Sequence, residues 1–156
     1  MDRDEISQLY RRMGPLIYRR CLRLLRDPDN ARDATQEVFV RALRYAGTLK
    51  ADRECLPWLY RVATNYCLNW IRDRKPIDDR QPEEILQEGS GERRLAARQQ
   101  VLSLLDKFDE KTRQVAVYSL LDGMTQEEIA SVMGLSRKTV GKKLSRFSQR
   151  AKELQS

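Results

Sequence analysis

The chain has 156 residues with a formal charge of +7, and 40% hydrophobic against 34% charged residues lets it bury a core and stay dissolved. Seven Gly and five Pro are too few for a loop-rich all-β protein, and no apolar run approaches the roughly 20 residues of a membrane span. Three widely spaced Cys and no His argue against a zinc site or a disulfide framework and weaken most acid–base mechanisms.

The N-terminus "MDRDEISQLY" lacks the apolar stretch of a signal peptide, so the expected compartment is the cytoplasm, without membrane insertion. Ile6, Leu9, Met13, Ile17, Cys21 and Leu24 recur at steps of three and four, the stripe of an amphipathic helix. Gly14-Pro15 interrupts it, which predicts two helices or one kinked helix. Asp27-Pro28 stops the pattern, Asp29 or Asn30 is placed to cap the next helix, and Gly47 fits the end of that helix.

Pro57 suits the first turn of a third helix, "WLYRVATNYCLNWIRDRK". Leu59, Val62, Ala63, Tyr66 and Trp70 form its apolar stripe; Arg61, Asn65, Asn69 and Arg72 form a separate polar face. Cys21, Cys55 and Cys67 read as small buried hydrophobes. The next segment, "PIDDRQPEEILQEGSGE", is acidic and rich in Pro and Gly, so it reads as a flexible linker that reaches about 50 Å when extended. The patterns "RRLAARQQVLSLLDKF" and "DEKTRQVAVYSLLDG" then predict two more amphipathic helices. The expected fold is therefore all-α: helical domains at 1–75 and 95–156, joined by the linker at 76–94.

The stretch "MTQEEIASVMGLSRKTVGKKLSRFSQR" changes character halfway. Thr125 and Glu128 have the spacing of a capping box that starts a helix, and Ile129, Val132 and Met133 give that helix an apolar face. Gly134 permits a tight turn, Leu135 plugs the corner, and Ser136 caps a second helix that packs through Val140 and Leu144. Ala130, four residues before Gly134, is small where crossing helices approach. This is the spacing of a helix-turn-helix. From Arg137 to Lys152 there are seven basic residues and no acidic one, as a helix inserted into a DNA groove requires.

Two motifs together identify a resemblance. "DPDNARDATQEVFVRAL" with "PWLYRVATNYCLNWIRDRK" resembles region two of bacterial sigma factors, and "LLDGMTQEEIASVMGLSRKTVGKKLSRF" resembles their region four. With nothing ahead of region two and only a linker between the halves, the chain resembles an extracytoplasmic function (ECF, group IV) sigma factor. That resemblance implies a non-enzymatic protein without cofactors. Its implied partners are core RNA polymerase, through the β′ clamp helices and the β flap, and promoter DNA, with an anti-sigma factor as a further possible partner.

Carried over by motif, Asp33, Gln36, Glu37 and Val40 are expected to meet the clamp. Trp58, Arg61, Asn65, Asn69, Arg72, Arg74 and Lys75 are expected to recognise and open the −10 element. Ser136, Arg137, Lys138, Thr139, Gly141, Lys142 and Arg146 are expected to engage the −35 element. Arg137-Lys138 stands where many relatives carry smaller residues, and Gly141 costs a helix interior roughly 1 kcal/mol against Ala, a position that either permits close approach to the DNA backbone or is simply tolerated. The competing reading is a two-domain helix-turn-helix regulator acting without core polymerase, which has no reason to carry the region-two motifs. A nucleic-acid-directed enzyme would need a rigid carboxylate cluster or an activated nucleophile, and the only dense acidic group, Asp78, Asp79, Glu83 and Glu84, lies in the linker.

Overall fold

The computed structural model describes residues 2–45, 55–74 and 101–155, and every regular element among them is a helix. The first is α1 (Arg3–Leu25), started by a reciprocal capping box in which Asp2 accepts from the Glu5 backbone and Glu5 from that of Asp2. It runs unbroken through Pro15, so the two-helix alternative is not what forms. Proline removes one backbone donor, but the stripe Leu9, Ile17, Cys21 and Leu24 stays in phase and is buried along its length. Packing outweighs one lost hydrogen bond.

Arg26 turns into the left-handed region at φ 58° to end α1. Helix α2 (Pro28–Arg44) is capped by Asp27, whose side chain accepts from Asn30 N at 2.9 Å. The cap is therefore two or three residues earlier than Asp29 or Asn30, because Pro28 is pre-organised for the first helical position. Gly47 and the linker at 76–94 lie outside the described residues. Helix α3 (Cys55–Asp73) packs on α1 and α2, burying Leu59, Ala63, Cys67 and Leu68, while Val62, Tyr66 and Trp70 are half-buried. Fully burying a residue such as Leu59 contributes about 1.5–3 kcal/mol. All three cysteines are buried. The hydrogen bond with Cys21 and its own burial push the Cys67 thiol well above the ordinary thiol range.

Residues 101–105 are helical and bury Leu102 and Leu105. Then follow α4 (Glu110–Leu120), α5 (Gln126–Met133) and α6 (Arg137–Gln155). Thr125 and Glu128 form the expected capping box on α5, with the two bonds at 3.1 and 3.2 Å. Gly134 ends α5 at φ 65°, a conformation where a β-carbon is strained, and Ser136 Oγ accepts from Thr139 N at 3.1 Å to start α6. Among the described residues, no helix is long and apolar enough to cross a membrane.

The core does not respect the division of the sequence. One apolar cluster begins in α1–α3 and continues through Leu102, Leu105, Ala116, Val117 and Phe147. A smaller cluster, Val115, Tyr118, Ile129 and Val140, holds the helix-turn-helix together, and Tyr60 of α3 packs against it. The helix-turn-helix is thus seated on α3.

Candidate nucleic-acid interface

The α6 helix presents its cations outward. Lys138, Lys142 and Arg146 are exposed at steps of four, which places them in one row. Arg137 is also exposed but bonds Glu127 of α5 at 3.2 Å, a surface ion pair of small energy that a DNA base or phosphate can displace. Ser136 and Thr139 are committed to each other, their hydroxyls 2.8 Å apart, so they build the helix start. Gly141 is half-buried and turned towards α5: a β-carbon there would stand 3.4 Å from Gln126 Oε1. Its neighbour on that side is the Gln126 side chain.

On α2, Asp33, Gln36 and Val40 are exposed along one face, and Glu37 beside them is half-buried and pairs with Arg41 at 3.5 Å. Val40 is 39% exposed. The face continues into Leu43, 44% exposed, whose signal in the sequence is the helical step of three from Val40. An apolar strip flanked by carboxylates suits a partner surface with basic and apolar groups.

The third set, on α3, behaves differently. Arg61 does not face solvent freely: its Nη1 donates to the Val132 carbonyl at 2.9 Å, in the last turn of α5, where a cation also complements the helix dipole. Asn65 and Asn69 each hold a buried Oδ1 with no hydrogen-bond partner among the described residues. Arg72 pairs with Asp73 at 3.1 Å, and the Arg74 guanidinium lies 4.6 Å over the Trp70 ring. Trp58 is half-buried against the core with its ring edge-on to Tyr45 at 6.2 Å. Lys75 lies outside the described residues.

Beside Arg61 is a buried polar group absent from the sequence reading. Arg20 of α1, 3% exposed, donates to Thr64 Oγ1 at 3.0 Å and to Asp122 Oδ1 at 2.6 Å. The Tyr118 hydroxyl lies within hydrogen-bond reach of Gln114 Oε1 at 3.0 Å and Thr64 Oγ1 at 3.3 Å, and its ring stacks on Tyr60 with centroids 5.6 Å apart. Arg20 also lies over both rings, 4.8 Å from Tyr60 and 5.4 Å from Tyr118. Burial pushes the Tyr118 hydroxyl up to about 12, with Thr64 and Arg20 restraining the rise. Burial likewise raises Tyr60. One signal was available: Arg20 falls between Ile17 and Leu24 at steps of three and four, in phase with the buried stripe. An arginine there has to find a buried partner.

Residues 9–77 match the Sigma-70 region 2 family, and residues 98–147 match the Sigma-70, region 4 family. The chain is 28% identical to the ECF RNA polymerase sigma factor SigE of Mycolicibacterium smegmatis, over 94% of this chain and 60% of that protein. Its identity to the ECF RNA polymerase sigma factor SigW of Bacillus subtilis is 27%, over 93% of this chain and 86% of that protein. Against the ECF RNA polymerase sigma-E factor of Escherichia coli K12 it is 30%, over 73% and 68% respectively.

Proposed function

The chain belongs to the ECF sigma factors of RNA polymerase, and from that premise we propose how its surfaces divide the work of promoter-directed initiation. The observation that carries the reading is the order of two family matches in one chain, region 2 and then region 4, the second ending in a row of exposed cations on α6. A helix-turn-helix regulator working alone accounts for the second match and leaves the first without a purpose.

In this reading residues 1–75 act as region two, 76–94 as the connection and 95–156 as region four, in a group IV factor of the cytoplasm that performs no catalysis itself. The α2 face of Asp33, Gln36, Glu37, Val40 and Leu43 docks on the β′ clamp helices of core polymerase; its exposed apolar strip beside carboxylates supports this. The polar face of α3, with Trp58, Arg61, Asn65, Asn69, Arg72, Arg74 and Lys75, receives the −10 element. Asn65 and Asn69 each hold a buried Oδ1 without a partner among the described residues, and rotation of the amide towards the surface would offer it to base amino groups once strands separate. Region four docks on the β flap and sets α6 into the major groove of the −35 element. There Arg137, Lys138 and Lys142 reach bases or phosphates, Arg146 contacts the backbone, and Ser136, Thr139 and Gly141 shape the helix that carries them. The exposed α2 strip is a surface that an anti-sigma partner would cover in competition with polymerase.

The decisive experiment is transcription in vitro with core polymerase and the full chain over a library of promoters. The expected result is initiation confined to promoters sharing two spaced elements, with core polymerase alone inactive on them. Tight, sequence-specific duplex binding without core, and no stimulated initiation, would overturn the reading.

A further inference from the structure

We propose that the outer side of α1 binds the sugar-phosphate backbone of a nucleic acid, at a site distinct from the α3 and α6 faces proposed for the promoter elements. The observation is a row of arginines. From Ile6 to Arg26 the chain carries six arginines and no acidic residue, and its first lysine is Lys50. Arg20 is buried, whereas Arg11, Arg12, Arg19, Arg23 and Arg26 are exposed. Steps of seven, four and three set Arg12, Arg19, Arg23 and Arg26 along one side of the helix, over a rise of about 21 Å.

Most of this row keeps its charge uncompensated. Among the described residues, Arg12, Arg19 and Arg26 take part in no ion pair. The carboxylates closest along the chain are committed elsewhere. Asp2 and Glu5 form the capping box of α1, Asp27 caps α2, and Asp29 pairs with Arg32 at 3.5 Å. From the turn between α4 and α5, Asp122 reaches Arg23 at 3.5 Å, but its nearer contact is the buried Arg20 at 2.6 Å. Arg19 with Arg23, and Arg23 with Arg26, are like charges at helical neighbour positions and repel one another. A polyanion laid along the row relieves that repulsion.

Arginine rather than lysine points to phosphate as the ligand. The guanidinium is planar, always charged and able to hold two oxygens of one phosphate, which suits it to nucleic-acid backbones. A duplex carries one negative charge per about 1.7 Å of axis, so a row of about 21 Å faces about a dozen of them. Between Arg12 and Arg19 the same side carries the half-buried Leu16. Backbone contacts of this kind position a nucleic acid without reading its sequence. The site thus adds affinity and salt dependence to any complex it joins, and no base preference.

The test measures binding of the full chain to a fluorescent oligothymidine and to a duplex of unrelated sequence over a series of salt concentrations. No polymerase is present, so the result is independent of the promoter roles proposed for α3 and α6. Arg12→Gln, Arg19→Gln and Arg26→Gln together remove three charges from the row and spare Arg23 with its contact to Asp122. Arg3→Gln, Arg32→Gln and Arg44→Gln remove three exposed charges off the row, which matches the net charge. Glutamine is about as good a helix former as arginine, so both variants should keep the wild-type helical content. Loss of three phosphate contacts lowers the slope of log affinity against log salt by about 2.7 on duplex or about 2 on single strands. The row variant is expected to show that fall on at least one of the two, and the larger fall names the form of nucleic acid bound. The matched variant is expected to change either slope by less than about 1. Equal falls in the two variants would mean diffuse attraction to a basic protein and would overturn the site. Unchanged slopes in the row variant would overturn it as well, and a loss of polyglutamate binding beside them would assign the row to an acidic protein.

Discussion

Asn65 and Asn69 allow stability and function to be separated. Each holds a buried Oδ1 with no partner among the described residues, and a buried polar atom left unpaired costs the folded state about 1–3 kcal/mol. Replacing either residue with Ala removes that penalty along with a few packing contacts. The unfolding free energy of Asn65→Ala or Asn69→Ala is therefore expected to change by less than about 1 kcal/mol, or to rise. Function moves the other way. A hydrogen bond to a base edge contributes about 1–3 kcal/mol, so its loss lowers open-complex formation about 5- to 140-fold at each position. Urea unfolding of the full chain reports the first quantity, and permanganate reactivity of unpaired thymines in the holoenzyme–promoter complex reports the second. Core affinity is measured alongside and should not change. A stability loss beyond about 2 kcal/mol would mean that the amide is satisfied in the folded chain. Unaltered thymine reactivity in both variants would mean that the −10 element meets a different face of α3.

On α6, Arg137→Ala in the holoenzyme should relax preference at one or two base pairs of the −35 element, whereas Arg146→Ala should weaken all sequences alike and flatten the salt dependence, as binding across single-base variants at two salt concentrations would reveal. Glu127→Ala frees Arg137 from an exposed pair and should raise −35 affinity, by up to about fivefold given the small energy of such pairs. On α2, Glu37→Lys with Gln36→Ala should weaken core binding in a competition assay without lowering helical content, since the α2 helix loses only one half-exposed i,i+4 pair with Arg41. Alkali should loosen the contact at Tyr118. Its hydroxyl is raised from 10.0 to about 12 by burial, so the stabilisation is complete below pH 10 and lost as pH rises towards 12. Tyr118→Phe should flatten the fall of unfolding free energy across that window, and an unchanged slope would assign it to other groups.

The local features of this protein were legible because their causes lie within a few residues along the chain. Thr125 and Glu128 cap α5 at a spacing of three; Gly134 takes the left-handed turn; Val140 and Ile129 bury where the 3.6-residue period puts them. Segregated charge marked α6 as a helix for nucleic acid, and ordered motifs pointed to the family. The misplaced cap was local too: Asp27 rather than Asp29 or Asn30 caps α2 because proline prefers the first helical position, while of the two alternatives at Gly14-Pro15 the single helix forms because both sides share one buried stripe. Tertiary structure decided what the polar side chains do. Arg61 looked like a free cation on a polar face and is instead bonded to a carbonyl 71 residues away. Arg20 lies in phase with the buried stripe of α1, but its partner Asp122, 102 residues away, is not legible from that spacing. Periodicity reports which face of a helix is buried, but a hydrogen bond between halves depends on how two faces meet. That meeting is set by shape and charge across the interface, which no spacing along the sequence encodes.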